Sequence, residues 1–574
     1  MMRLLVVVLI VALAAGLWWQ LSGPHLPAAH KPGVARLTPE PAPALQAVAP
    51  PPAPVAPAPE PQPEPEPAPP VPLLKAGKMV TVVLSEPPAL QYGQAAMSDT
   101  DQHYRDLVAE VAGGTASYDP NLGRAARELV YQTTEFGDVV PGDVREFAIA
   151  AAGAVAADAT FQQIRTNAEG DASLKQAITA VVRDHSSHDG PLRVGVGEVY
   201  RQGLKLPRHI GVVGTRVGMD VQPLPIKIKI GATWPIRGRL RAAWTEIQAL
   251  VLDGNGDQQE LPVAVSGDAV TFDIVAAVPG ALDVQFVGKG PSGPGKIVQL
   301  RAWVDREPPD RITAQVPADE SALDLGAAEG YALQLLNADR VKFKREPLQW
   351  DSQLADIARS HSRDMRDHGF FGHQSPTTGL PGDRIKAAGY LQAGYAENVA
   401  LNGTLFEAEE GLMHSLGHRR NILEPTMTHV GIGVATTGAG KGRRFWITQL
   451  FAKPALNLSP EAAEAVVATA IHKARQARGM VDLELDGPLS EAARFGAEKA
   501  SRDGFEGAAR MALDEAKRRE LFSGSLGAHA AMTSDPEHAE TPDAALQPEA
   551  KKFAVGAARA NGEAQFVVVI LVLK

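Results

Sequence analysis

The chain has no cysteine among its 574 residues. That excludes disulfides, a lipoprotein anchor on an N-terminal cysteine and a thiol nucleophile, so an exported form must rest on its cores alone. A basic excess is also missing. Lys and Arg number 56 against 66 Asp and Glu, a net charge of −10 that leaves no footprint for nucleic acid. There is no His-Glu-x-x-His helix and no Gly-x-Ser-x-Gly elbow, the signatures of zinc proteases and serine hydrolases. The one long apolar run, Leu4 to Trp19, is shorter than the roughly 20 residues of a spanning helix.

That run follows Met1-Met2-Arg3, so residues 1–23 read as a signal peptide or signal anchor. Ala12-Leu13-Ala14 offers a cleavage pattern and Trp18-Trp19 suits an interfacial anchor; either way the rest of the chain is exported. Residues 24–75 are a proline-rich linker, semi-rigid because proline favours the extended polyproline II form.

Residues 76–222 mix helical stretches (Asp101 to Ala112, Leu122 to Gln132, Val144 to Gln163) with glycine-punctuated strands at Leu192 to Gly197 and His209 to Gly214. Residues 223–307 alternate in short runs, Ile226 to Ile230, Val270 to Ile274 and Leu282 to Val287, and read as an all-β, immunoglobulin-like sandwich. Asp253 to Asp257 is a hairpin turn; it lacks the ligand order of a calcium loop. Two further units follow, 308–458 and 459–574.

Internal similarity links these units. Leu335 to Arg340 aligns with Ala470 to Arg475, and the pairing continues without a gap through Asp351 with Asp486 and Leu354 with Leu489. A shorter match sets Trp350 to Arg359 against Tyr118 to Arg127, and Val194-Gly195-Val196-Gly197 against Val430-Gly431-Ile432-Gly433. Three copies of one scaffold are expected, with the sandwich inserted after the first.

Chemistry-bearing motifs concentrate in the middle copy: His361-Ser362-Arg363-Asp364-Met365, Phe371-Gly372-His373, Glu397-Asn398-Val399-Ala400, and His418-Arg419-Arg420-Asn421-Ile422-Leu423. Gly431 to Val434 and Trp446 to Phe451 follow. His361 sits on the apolar face of a helix and reads as a core histidine bonded to a carbonyl; His373 sits on a loop after a helix-ending glycine. Glu397 reads as the start of an element and His418 as the end of a helix. Asp184-His185-Ser186-Ser187-His188-Asp189 is a competing metal candidate without anchor motifs, and Thr533 to His538 reads as plain loop.

Over about residues 328–455 this motif order resembles the CAP superfamily (cysteine-rich secretory, antigen 5, pathogenesis-related-1), in its bacterial, cysteine-free branch. The resemblance implies an α+β fold: an α-β-α sandwich CAP domain flanked by degenerate CAP-like copies, with His373 and His418 above the central strands. It implies a groove of His373, Glu397 and His418, supported by His361, Asn398, Ser415 and Asn421. Two imidazoles and a carboxylate suit Zn²⁺ or another divalent metal. The family's second groove glutamate is absent, since Glu409 to Ser415 carries serine at its place, with Glu410 a weak substitute. The expected function is an extracytoplasmic ligand- or metal-binding module of the bacterial envelope. Its partner would be a small apolar ligand, an envelope protein or a cell-wall component, and it would meet the membrane only through the N-terminal segment. The alternatives are a metal-dependent, protease-like hydrolase and a structural or adhesive protein without an active groove.

Overall fold

A computed structural model describes Pro69 and residues 77–574 except 94–95, 137–139, 186–188, 292, 439–442, 457 and 561–564. The signal or anchor segment, nearly all of the linker and the centre of the Asp184 to Asp189 candidate lie outside the described residues. None of the described helices is long and apolar enough to cross a membrane.

Three four-stranded sheets share one strand order. In each, a short first strand runs parallel to the third, the third pairs antiparallel with the fourth, and the fourth with the second at the sheet edge. In the central unit the elements are α1 (Leu325–Lys342), β1 (Gln349–Trp350), α2 (Ser352–His368), α3 (Pro381–Ala387), β2 (Gln392–Asn402), α4 (Leu405–His414), α5 (Leu416–Leu423), β3 (His429–Thr437) and β4 (Arg444–Pro454). Apolar residues of β4 alternate between two cores. Phe445, Ile447 and Phe451 pack with α1, α4 and α5, while Leu450 and Ala452 pack with α2 and α3. The sheet is therefore covered on both faces, as period-two alternation of side chains requires.

Helix α2 lies unusually close to β3. A Cβ on Gly431 would fall 2.0 Å from the Ala355 nitrogen, and one on Gly433 2.0 Å from the Arg359 nitrogen. The flanking units repeat the contact: Gly195 meets the Leu122–Gly123 backbone and Gly556 the Ala493–Arg494 backbone. Buried arginines repeat as well. Arg340 donates to the carbonyls of Glu346, Ile422 and Glu424, and Arg475 to those of Val481, Ala545 and Gln547. Glu329 accepts from Arg359 and from the Val434 amide, and Glu464 from Arg494 and the Ala557 amide.

Between the first and second of these units, a five-stranded and a four-stranded sheet enclose one core around Trp234, Ile236, Phe272, Val284 and Phe286. Its strands run from Met219 to Val304, and Arg311–Gln315 pairs with Met79–Val83 of the N-terminal unit. The boundaries therefore differ from the sequence expectation. Met219–Val221 joins the sandwich, and the strand after it returns to the N-terminal unit.

Two local expectations fail. The helix expected from Val144 to Gln163 ends at Ala151, and Ala159–Thr166 is a strand paired with Arg208–Arg216. Gly153 breaks the alanine run at φ +69°, after which Ala156 bridges to Gln299 instead of continuing the helix. Of Ile226 to Ile230 only Lys227–Ile228 pairs, in parallel with Trp303–Val304.

Candidate functional site

Helix α2 begins at Asp351, whose carboxylate accepts from the Leu354 amide, and ends at Gly369 in the left-handed region. Its inward face carries Leu354, Ala358, His361, Ser362 and Met365. Ser362 Oγ donates to the Gly433 carbonyl and lies 2.8 Å from Thr448 Oγ1, fastening α2 to β3 and β4. His361 is buried, donates through Nε2 to the Gly372 carbonyl at 3.0 Å and lies 4.0 Å from Glu397 Oε1. Burial pushes its pKa down, so the ring is held neutral.

Glu397 lies in the middle of the edge strand β2, not at the start of an element. It pairs with Leu450 and so faces α2 and α3; Asn398 pairs with Gln449 and faces α4 and α5. The dipeptide thus binds both helix layers. Glu397 Oε1 accepts from His373 Nδ1 at 3.0 Å, and Oε2 from Arg384 at 2.5 Å. Burial opposes its charge, but the His373 bond and the Arg384 guanidinium prevail and hold its carboxyl below the ordinary range. Arg384 is itself buried and also donates to the carbonyls of His373 and Gly379.

On the other face, Asn421 Nδ2 donates to Asn398 Oδ1 (2.9 Å) and to the Glu397 carbonyl (3.3 Å). Asn398 Nδ2 donates to Gln449 Oε1 and to the His418 carbonyl, and Gln449 donates to Glu409 Oε2 at 2.7 Å. His418 is in the first turn of α5, at the start of a helix and not at its C-terminal end, with its ring centroid 6.4 Å from that of His373. His373 is tied to the edge strand β2 through Glu397, and the His418 ring lies beside it. Burial is the main cause, with the His373 charge second, that pulls the His418 pKa down to about 4. Ser415 joins α4 to α5 through its backbone, and its hydroxyl makes no cap bond.

Glu410 makes no bond to His373, Glu397 or His418 among the described residues. It accepts from the Gly142 amide of the N-terminal unit at 3.1 Å, beside the His414–Asp143 ion pair. Sequence reasoning missed Arg384 and Glu409. Arg384 has no motif around it beyond its place after Pro381-Gly382, and nothing local in the sequence distinguishes Glu409 from Glu410. Glu409 is buried, its Oε1 has no hydrogen-bond partner, and burial, with Asp339 second, raises its pKa to about 8.

That value sets a pH dependence. A carboxyl raised from 4.5 to about 8 on folding stabilises the fold fully below pH 4.5 and loses that contribution as pH rises through 8. The loss between pH 5 and 8 is on the order of 3 kcal/mol. Glu409→Gln keeps an acceptor for Gln449, and urea unfolding of this variant should show a flatter profile over that range, with the largest gain at pH 8. An unchanged profile would remove Glu409 as its cause.

The residues do not fit a divalent metal as they stand. Both oxygens of Glu397 are engaged, one by a guanidinium that would repel a cation. Among the described residues, the metal-capable trio that comes within 4.8 Å is Asp535, Glu537 and His538, at a short 3₁₀ turn, where Lys453 already pairs with Asp535. Of the Asp184 to Asp189 candidate, His185 Nδ1 bonds the Val181 carbonyl and His188 lies outside the described residues.

Residues 333–451 match the family model CAP, the cysteine-rich secretory protein family. These residues form a CAP domain. The protein YkwD of Bacillus subtilis is 39% identical over 130 residues, which is 22% of this chain and 49% of YkwD. The membrane protein YlbC of the same organism is 38% identical over 110 residues, 19% of this chain and 31% of YlbC. The chain thus spans half or less of these relatives. A solved extracellular protein of Bacillus anthracis containing an SCP domain is 23% identical, with TM-score 0.21, covering 33% of this chain and 66% of that one. In the CAP domain Glu397 occupies a register filled by Phe161 in the N-terminal sheet and Ala528 in the C-terminal sheet, counting from the helix-packed glycines.

Proposed function

We propose that this is an exported, envelope-associated binding protein whose CAP domain holds a small ligand in the groove beside the edge strand β2. The N- and C-terminal units would be copies of the same scaffold without the site, and the sandwich an immunoglobulin-like insertion. The observation that carries the reading is the fixed Glu397. Buried, and held by Arg384 and His373, it anchors a histidine whose side chain is about one-third exposed (35%) next to His418. With Nδ1 committed to Glu397, His373 keeps Nε2 for a ligand, and the depressed pKa keeps His418 neutral at physiological pH. Exposed Phe371, two residues from His373, adds apolar surface, so a ligand with an apolar body and a hydrogen-bonding head suits the groove.

A metal-dependent hydrolase is the second reading, motivated by the two imidazoles and the carboxylate; it requires Arg384 to give up Glu397. The test uses the full chain and His373→Ala combined with His418→Ala. Zn²⁺ titration calorimetry is run beside mass spectrometry of solvent extracts from the purified proteins. The expected result is a co-purifying apolar compound lost in the double variant, with no stoichiometric Zn²⁺ binding. Stoichiometric Zn²⁺ lost in the double variant would instead favour the metal reading. Neither signal would leave a structural envelope protein.

A further inference from the structure

The helix pair that carries His418 and Asn421 does not sit on the CAP sheet alone. The joint between α4 and α5 abuts the five-stranded sheet of the sandwich, with Leu416 packed on Leu250, Val287 and Leu252. At that joint α4 ends and α5 begins within one residue, leaving helix-terminal carbonyls and amides that need partners. One side chain from another domain supplies two of them. Gln285 Nε2 donates to the His414 carbonyl at 2.6 Å, and Gln285 Oε1 accepts from the Leu416 amide at 2.9 Å.

Gln285 is 1% exposed and both hydrogens of Nε2 are used, because Nε2 also donates to Gln299 Oε1 at 3.0 Å. Gln299 Oε1 accepts in addition from Lys296 Nζ, and Gln299 Nε2 donates to Glu146 of the N-terminal unit. Lys296 pairs with Asp158, and both act electrostatically on His418. A chain of polar groups, buried at Gln285 and half-buried at Gln299 and Glu146, therefore runs from the N-terminal unit through the sandwich to the joint, two residues before His418.

We infer that Gln285 is a positioning residue for the CAP groove: its amide sets the angle between α4 and α5 and so places His418 and Asn421 against β2. The inference rests on the groove reading above, since it says which part of the chain shapes that groove. Removing the amide leaves a buried carbonyl and a buried amide unpaired at one joint, a local defect of the kind that opens a segment without unfolding its domain. Gln258, which donates to the Leu416 carbonyl at 2.9 Å, touches the same joint from one side only and serves as the comparison.

The experiment uses the full chain with Gln285→Ala, Gln285→Glu and Gln258→Ala. Hydrogen–deuterium exchange is followed by mass spectrometry, with diethylpyrocarbonate labelling of His418 as the second readout; neither needs the ligand, so failure of the binding reading leaves this test intact. Gln285→Ala should speed exchange across residues 414–421 by about tenfold and raise His418 labelling, while 429–454 stays unchanged. Gln285→Glu, nearly isosteric, keeps the acceptor for Leu416 and loses the donor to His414, and should fall between. It also serves if the alanine variant does not fold. Equal acceleration across 429–454, no change at 414–421, or an equal effect of Gln258→Ala would overturn the inference.

Discussion

An alanine at position 433 is expected to abolish the cooperative unfolding transition of the CAP domain. The new methyl would lie 2.0 Å from the Arg359 nitrogen and 2.2 Å from the Ala358 carbonyl carbon, both backbone atoms of a helix anchored at Asp351 and Ser362. Neither rotamer change nor a small shift relieves such a contact, so α2 must leave β3 and take the cores on both its sides with it. The cost belongs to the upper end of single substitutions, about 4 kcal/mol or more. Gly556→Ala should do the same to the C-terminal unit alone. Gly411→Ala, with nothing within 4 Å of the added carbon, should stabilise α4 by roughly 0.5–1 kcal/mol. Differential scanning calorimetry of the three variants checks the pattern. A retained central transition in Gly433→Ala would mean that the helix and strand have room for the added methyl.

Arg384→Met is the second large effect. It strips the guanidinium from a carboxylate buried beneath two histidines and leaves Glu397 with His373 alone. Removing one partner of a buried ion pair costs about 3–5 kcal/mol, mostly because the other charge stays behind. Glu397 should then take up a proton at higher pH, and the variant should recover stability as the solution is acidified toward pH 5. The combination Arg384→Met with Glu397→Gln should regain most of the loss, because no uncompensated charge is left. Urea unfolding of the two single variants and the double variant forms the cycle. Additive losses would show that the pair is not coupled in the folded state.

The side chains gathered around Glu397 were legible because each stands beside a local signal: a helix-ending glycine before His373, the Glu-Asn step at 397–398, and Asn421 three residues past His418. Their settings were not. Arg384 lies on a short helix, and its role exists only because Gly379, His373 and Glu397 are folded around it. Glu397 looked like the start of an element since nothing before it marks the strand, which begins five residues earlier at Gln392. The sandwich shows the limit most clearly. Leu282 to Val287 alternates in polarity, which by rule turns Asp283 and Gln285 toward water. Both are buried, because that polar face meets two neighbouring units. Alternation reports which face differs from which; it cannot distinguish a wet face from a polar interface.

The strand pair Met79–Val83 with Arg311–Gln315 also has a meaning in time. Thr81 and Thr313 face each other across 232 positions of sequence. A chain emerging from its N-terminus presents the first of these strands long before the second exists, and every residue of the sandwich comes in between. Until Gln315 is out, Val80 and Val82 have no partner strand with which to cover the core shared by Leu129 and Val144. The N-terminal unit therefore closes last among the first 316 residues although it is made first, and a chain halted within the sandwich carries an open strand edge.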